Sequence, residues 1–184
     1  MGVPIQKMTL EAYLGWEDAQ PGKNEFYQGE VFAMVGARRV HGLVVGNVFA
    51  ALKRQLKGSP CQVFVEGMKV QANAGSIFYP DVFVTCDAAD LKTDYLFKAP
   101  IVVVEVLSDS TQAFDRGLKF AAYRQIVELR EYVLIDPDTR VVEVYRRGVD
   151  GLFTLNDFTG RAQFDLTSIT CKLTAAEIFD GVGS

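Results

Sequence analysis

Ile101-Val102-Val103-Val104-Glu105-Val106-Leu107 is the stretch on which the fold turns. A run of apolar, mostly β-branched residues broken by a single carboxylate has neither the helical nor the alternating period. It reads as a central strand covered on both faces. Downstream, residues 111–127 return to a helical pattern, and Tyr132 to Ile135 form a second strand that Asp136-Pro137-Asp138 ends. Upstream, Ile77 to Cys86 is a strand despite Pro80, and Cys61, Val63 and Val65 alternate with polar residues before Gly67, which suggests a bulge. Before these, Val44, Val48, Leu52 and Leu56 recur every four residues from about Val40 to Lys57, and Gly58-Ser59-Pro60 stops the helix. Helices on either side of a strand series predict an α/β fold, a mixed β-sheet sandwiched between α-helices.

The outer parts fit around this core. Residues 8–18 suit a short helix capped by Thr9, and Asp18 to Gly22 breaks it. Glu25 to Tyr27 and Glu30 to Val35 flank Gln28-Gly29 as a tight hairpin. Val141 to Tyr145 and Leu152 to Leu155 make a meander, and Thr174-Ala175-Ala176-Glu177 is a capping box that opens a terminal helix. With no repeat or linker, residues 1–184 are expected to form one domain.

The 184 residues carry 19 Lys and Arg against 23 Asp and Glu, a formal charge of −4. That balance argues against a protein that coats nucleic acid nonspecifically, but leaves room for a local basic face. No apolar run is long enough to span a membrane. Met1 to Lys7 shows no basic start followed by an apolar block, so no signal peptide is expected. Three widely spaced cysteines, Cys61, Cys86 and Cys171, suggest free, mostly buried thiols in a reducing cytoplasm. One histidine, His41, and no Cys-x-x-Cys exclude multi-histidine zinc sites. Phosphate-binding, dinucleotide-binding and nucleophile-elbow motifs are absent.

Glu105 is the most informative side chain, because a carboxylate in an apolar strand needs a partner, a metal or a solvated cleft. Asp81, at the head of Asp81-Val82-Phe83-Val84, is a second such acid, and Pro80 favours a bend there. If the two strands are neighbours, both carboxylates open at one sheet end and can hold a hard divalent cation. Taken singly, each also fits an ion pair or a turn cap. Asp115, Lys119 and Tyr123 follow at four-residue steps on the next helix, which would bring Lys119 back toward Glu105. His41, after Arg38-Arg39 at a helix start, reads as a solvated terminus or as a phosphate contact. Lys53, Arg54 and Lys57 read as a solvated helix face.

Several of these segments occur together in a known order. Phe26-Tyr27-Gln28-Gly29-Glu30-Val31, Tyr79-Pro80-Asp81, and Val103-Val104-Glu105-Val106-Leu107-Ser108-Asp109-Ser110-Thr111 come first. Asp115-Arg116-Gly117-x-Lys119-x-x-x-Tyr123 and Arg130-Glu131-Tyr132-Val133-Leu134-Ile135-Asp136 follow. The chain thus resembles, from about residue 8 to 180, the bacterial family of putative restriction endonucleases in the PD-(D/E)XK nuclease superfamily. The resemblance implies a restriction-endonuclease-like core and Mg²⁺-dependent hydrolysis of phosphodiester bonds in DNA, with Mn²⁺ as a substitute. It implies Asp81 and Glu105 as metal ligands and Glu30 as the upstream acid that assists them. The superfamily's lysine would fall at 107, which is Leu107. The resembled family carries its lysine on the next helix, here Lys119, so the implied catalytic set is Glu30, Asp81, Glu105 and Lys119.

Two other readings stand beside this one. The scaffold could serve as a catalytically inactive module that binds nucleic acid or protein, or Asp81 and Glu105 could act as a metal-free acid–base pair. Cutting two strands would suit a homodimer. Fold alone does not separate these readings.

Overall fold

The computed structural model describes residues 3–34 and 36–183. Met1 and Gly2, and Val35 at the end of the expected hairpin strand, lie outside them. Among the described residues the strands form two six-stranded sheets and a small two-stranded one. In the first sheet the order is β1 (Gln6–Lys7), β3 (Glu30–Ala33), β2 (Asn24–Tyr27), β6 (Ser76–Phe78), β5 (Lys69–Asn73) and β8 (Leu96–Phe97). In the second it is β12 (Phe153–Asp157), β11 (Val141–Arg147), β10 (Glu131–Asp136), β9 (Pro100–Val106), β7 (Val82–Thr85) and β4 (Gln62–Val65). There β9 and β10 are parallel and the other pairs antiparallel, so this sheet is mixed. β13 (Gln163–Leu166) and β14 (Cys171–Thr174) make the small sheet. The second sheet carries the expected helix-covered centre. The first arises because β5 and β6 pair with the N-terminal hairpin rather than continuing beside β7.

Both faces of the second sheet are covered. Helix α1 (Leu10–Glu17) belongs to the first sheet, where Tyr13 stacks on Phe26. Helix α2 (Arg39–Gln55) lays Val44, Val45, Val48 and Leu52 over Val82, Val84, Val102, Val104, Val106, Val133 and Ile135. On the opposite face, the helix at 112–123 (α3) brings Phe114, Ala122 and Tyr123 against Phe83, Val103, Leu107 and Leu134. Each fully buried Val, Leu or Ile side chain among these contributes about 1.5–3 kcal/mol relative to exposure. The same α3 residues meet Val70, Ala72 and Phe78 of the first sheet, so α3 lies where the two sheets come together. α4 (Ala175–Ile178) opens with the expected capping box, Thr174 and Glu177 bonding each other's backbone N–H. Among the described residues no helix is long and apolar enough to cross a membrane.

The cysteines depart from expectation. Gln62 pairs with Thr85, so the next step brings Cys61 opposite Cys86, and the two form a disulfide with Cα atoms 4.1 Å apart. Only Cys171 is a free, buried thiol. Cysteine usage therefore no longer argues for a reducing compartment. The bond ties edge strand β4 to β7 and closes a loop with a sequence separation of 25 residues. Cys61→Ser should lower the stability of the oxidised protein by about 2–4 kcal/mol. Urea unfolding in non-reducing buffer checks this, and an unchanged midpoint would contradict it.

Candidate active site

Alternation along β9 creates the site. Val102, Val104 and Val106 face α2, which leaves Val103, Glu105 and Leu107 facing α3. Glu105 is thereby buried, at 3 % exposure. Burying one charge of this kind without a partner would cost several kcal/mol. The partner comes from α3. Lys119, itself 5 % exposed, places Nζ 2.9 Å from Glu105 Oε1. The same ammonium lies 3.2 Å from Glu25 Oε1 and 3.5 Å from Asp115 Oδ1, and 5.6 Å from the centre of the Phe78 ring.

A wide turn in α3 lets Asp115 and Lys119 both reach inward. Residues Asp115–Lys119 form a π-helical turn between the α-helical segments Gln112–Phe114 and Phe120–Tyr123. Four-residue steps overshoot a 3.6-residue turn, so three residues so spaced drift about 80° round an ideal α-helix. The wider turn takes back part of that drift. Asp115, Lys119 and Tyr123 are accordingly all buried, while Gly117 and Leu118 face outward.

Asp81 stands at the open end of the sheet. Pro80 lacks an N–H, and β7 begins only at Val82. Val82 pairs with Val104, so Asp81 sits one register step further, at the level of Glu105. Val106 N–H donates to Asp81 Oδ2 at 2.7 Å, a side chain taking the place of the next ladder carbonyl. His41 Nε2, from the first turn of α2, is 3.1 Å from Asp81 Oδ1. Glu66 N–H, from the end of β4, donates to the Asp81 carbonyl at 3.0 Å.

Charge in this cluster is unbalanced. Burial pushes the Glu105 carboxyl well above its usual range, Lys119 opposes that, and Asp81, Asp115 and Glu25 push it further up. Burial alone would lower Lys119, but Glu105, Glu25 and Asp115 more than offset it and keep the ammonium protonated. For His41, burial opposes the charge, while the Asp81 hydrogen bond and charge favour it and win. Glu105 Oε1 is buried without a hydrogen bond, since the Lys119 ammonium lies off hydrogen-bond geometry. Four carboxylates around one lysine and one histidine leave net negative charge in a low-dielectric place.

Asp81, Glu105 and Lys119, three of the residues singled out in the sequence, thus come together. Glu30 does not. The two-residue turn at Gln28 and Gly29, with φ of 50° and 87°, pairs Tyr27 with Glu30 and puts Glu30 at the foot of the hairpin. It lies opposite Lys7 of β1 and forms an ion pair with it at 3.1 Å. Glu30 opens hairpin strand β3 away from Asp81 and Glu105, and Glu25 takes the inward place. Glu25 and Tyr27 share the β2 face that meets α3, where Tyr27 packs edge-on against Phe114 at 5.6 Å. Tyr79 N–H also donates to Glu25 Oε1, at 3.3 Å. Glu25 was readable as an acid alternating with Phe26, but which hairpin acid points inward depends on register. His41 is neither a solvated terminus nor free for a phosphate, because Asp81 engages it. Arg38, its neighbour, makes two hydrogen bonds to Asp138, at 2.6 and 3.0 Å. Lys53, Arg54 and Lys57 are exposed as expected.

The donor set fits a hard divalent cation. Among the described residues no three of His, Cys, Asp and Glu converge as a ready-made metal cage. Mg²⁺ does not need one, since it commonly binds through one or two carboxylates and completes its shell with water and substrate phosphate. Asp81 and Glu105, one register step past the last β7–β9 pair and in surplus negative charge, would offer that.

Known proteins share this chain's sequence pattern and fold. An uncharacterised protein of Synechocystis sp. is 32% identical over 180 residues, covering 97% of this chain and 95% of its own. A second from the same organism is 33% identical over 156 residues, covering 83% and 88%. The crystal structure of a putative nuclease belonging to DUF820 from Anabaena variabilis has the same fold. Its TM-score is 0.79 at 17% identity, with 96% of this chain and 99% of that one covered. The pattern of the Uma2 family, described as "Putative restriction endonuclease", matches residues 10–174, and the chain belongs to that family.

Proposed function

We propose that the protein is a divalent-metal-dependent endonuclease that hydrolyses phosphodiester bonds in DNA. Membership of a restriction-endonuclease family supports the substrate class. The observation that carries the reading is Lys119. It occupies, from a neighbouring helix, the place beside Glu105 that Leu107 cannot fill, and it does so amid surplus carboxylates. Asp81 and Glu105 hold the cation, which is Mg²⁺ with Mn²⁺ as substitute. When bound, the ion supplies Lewis acidity to the scissile phosphate and to the attacking water.

The chain's own groups do the rest. Lys119 presents a fixed positive charge to the phosphate oxygens as they gain charge in the transition state. Glu25 and Asp115 hold that ammonium in place, so little reorganisation accompanies the reaction. His41 and Val106 N–H orient the Asp81 carboxylate from two sides.

Incubation of purified protein with supercoiled plasmid and short duplexes tests this. Nicked or linear product is expected with Mg²⁺ or Mn²⁺ and none after chelation, with weaker binding as salt rises. DNA binding without cleavage under any divalent ion would replace the nuclease by an inactive binding module.

A further inference from the structure

Strand β12 is an uncovered edge of the second sheet. Phe158 N–H donates to the Val142 carbonyl at 2.9 Å, and Gly148 N–H to the Leu152 carbonyl at 2.7 Å. Hydrogen-bonded and non-hydrogen-bonded pairs alternate along an antiparallel ladder, so Leu152, Thr154, Asn156 and Phe158 turn their backbone groups toward β11. Phe153, Leu155 and Asp157 turn theirs outward, and no hydrogen bond from a described residue reaches them. Natural edge strands are commonly blunted by shortness, by a bulge, or by lysine or proline. The outer strands β1, β8 and β4 have two, two and four residues. β12 has five, pairs in unbroken register, and carries neither lysine nor proline. It also shows apolar side chains to solvent: Leu155 is 50 % exposed, and Leu152, just before the strand, 67 %.

We infer that β12 pairs antiparallel with β12 of a second copy of this chain, about a twofold axis at Leu155. Register and charge select a second copy as the occupant. With the axis there, Leu155 faces its own copy, Phe153 faces the partner's Asp157 and Thr154 faces the partner's Asn156. Each outward backbone group then meets an outward backbone group, which gives about six new hydrogen bonds. On one face of the sheet the two Leu155 side chains meet, and on the other Leu152 reaches the partner's Phe158. Arg147, opposite Phe153 on β11, holds its guanidinium 4.6 Å from the Phe153 ring centre, and Asp157 is exposed on the same face. Neither forms a salt bridge with a described residue. The pairing brings Asp157 of each copy beside the partner's Arg147, so the charges match twice, as an interface between identical surfaces requires. The pairing does not depend on the nuclease reading. Where that reading holds, the two β9 strands run in opposite directions, so the two sites open at opposite ends of one continuous sheet.

Sedimentation velocity of the intact protein between about 1 and 100 μM reads the pairing, a range suited to an interface of this small size. Wild type should pass from a monomer of 20.4 kDa to a dimer across that range. Leu155→Lys sets two ammonium groups opposite each other and should raise the dissociation constant by more than about tenfold. Its thermal unfolding should match that of the wild-type monomer, since the position is exposed. Tyr95→Ser, which removes an exposed aromatic side chain beside the first sheet, should leave the dimer intact. Amide hydrogen exchange followed by NMR should show Phe153, Leu155 and Asp157 protected in the wild-type dimer and unprotected in Leu155→Lys. A dimer that survives Leu155→Lys, or one in which those three amides exchange freely, overturns the inference. A wild type that stays monomeric throughout also overturns it and leaves the edge to a strand from another protein.

Discussion

Asp81→Ala and Glu105→Ala should each lower DNA cleavage by on the order of a thousandfold or more, with the substituted protein still folded. Either change removes one of the two carboxylates assigned to the cation, and with it the Lewis acid on which attack depends. Neither change should unfold the protein. Asp81 is partly exposed, and its loss leaves His41 free to meet water. Loss of Glu105 removes the carboxylate 2.9 Å from Lys119, but Glu25 and Asp115 remain as counter-charges. Combining both substitutions should cost little more activity than either alone, since both act on one ion. Plasmid nicking with matched circular-dichroism melts checks this, and retained cleavage by Asp81→Ala would contradict it.

Lys119→Met should lose both activity and stability. The rate should fall about 10²–10³-fold, as for removal of other fixed transition-state charges. Binding of Mn²⁺ should not weaken, because a repelling charge leaves the site. Metal-free stability should fall by about 3–5 kcal/mol, since Glu105 then stays buried without its counter-ion. The sign of the pH dependence follows from Glu105, which burial already pushes up and whose only opposing influence named above is Lys119. Its stabilising contribution is complete below the ordinary carboxylate value of 4.5 and lost as pH rises through its raised value. The deficit of Lys119→Met should therefore be smallest in acid and grow toward neutral pH. Urea midpoints across pH 4 to 8 with and without Mn²⁺ decide it. An equal deficit at all pH values would show that Glu105 is not the group left uncompensated.

The sequence is most legible where one local rule acts on its own. The 101–107 run declares a covered central strand, and its single carboxylate declares a site, because burying charge is costly wherever the strand ends up. The four-residue period of Val44, Val48, Leu52 and Leu56 likewise marks the face that α2 buries. What escapes is set by partners distant in sequence. Glu25 and Glu30 look alike until the Gln28-Gly29 turn fixes register and points one toward Lys119 and the other toward Lys7. His41 meets Asp81 only because α2 crosses the end of β7. Cys61 and Cys86 look unrelated until β4 and β7 pair. The turn at 115–119 is a helix irregularity that no propensity marks, since four-residue spacing is also the ordinary same-face spacing of an α-helix.

The central claim is that Asp81 and Glu105 jointly hold a divalent cation. Anomalous diffraction from crystals soaked in Mn²⁺ tests it most directly. The expected result is one strong peak with oxygen atoms of both carboxylates at about 2.1–2.2 Å, Lys119 displaced little, and no peak in Asp81→Asn crystals soaked alike. A map without a peak between the two carboxylates, with Asp81 still on His41 and Glu105 still on Lys119, would contradict it.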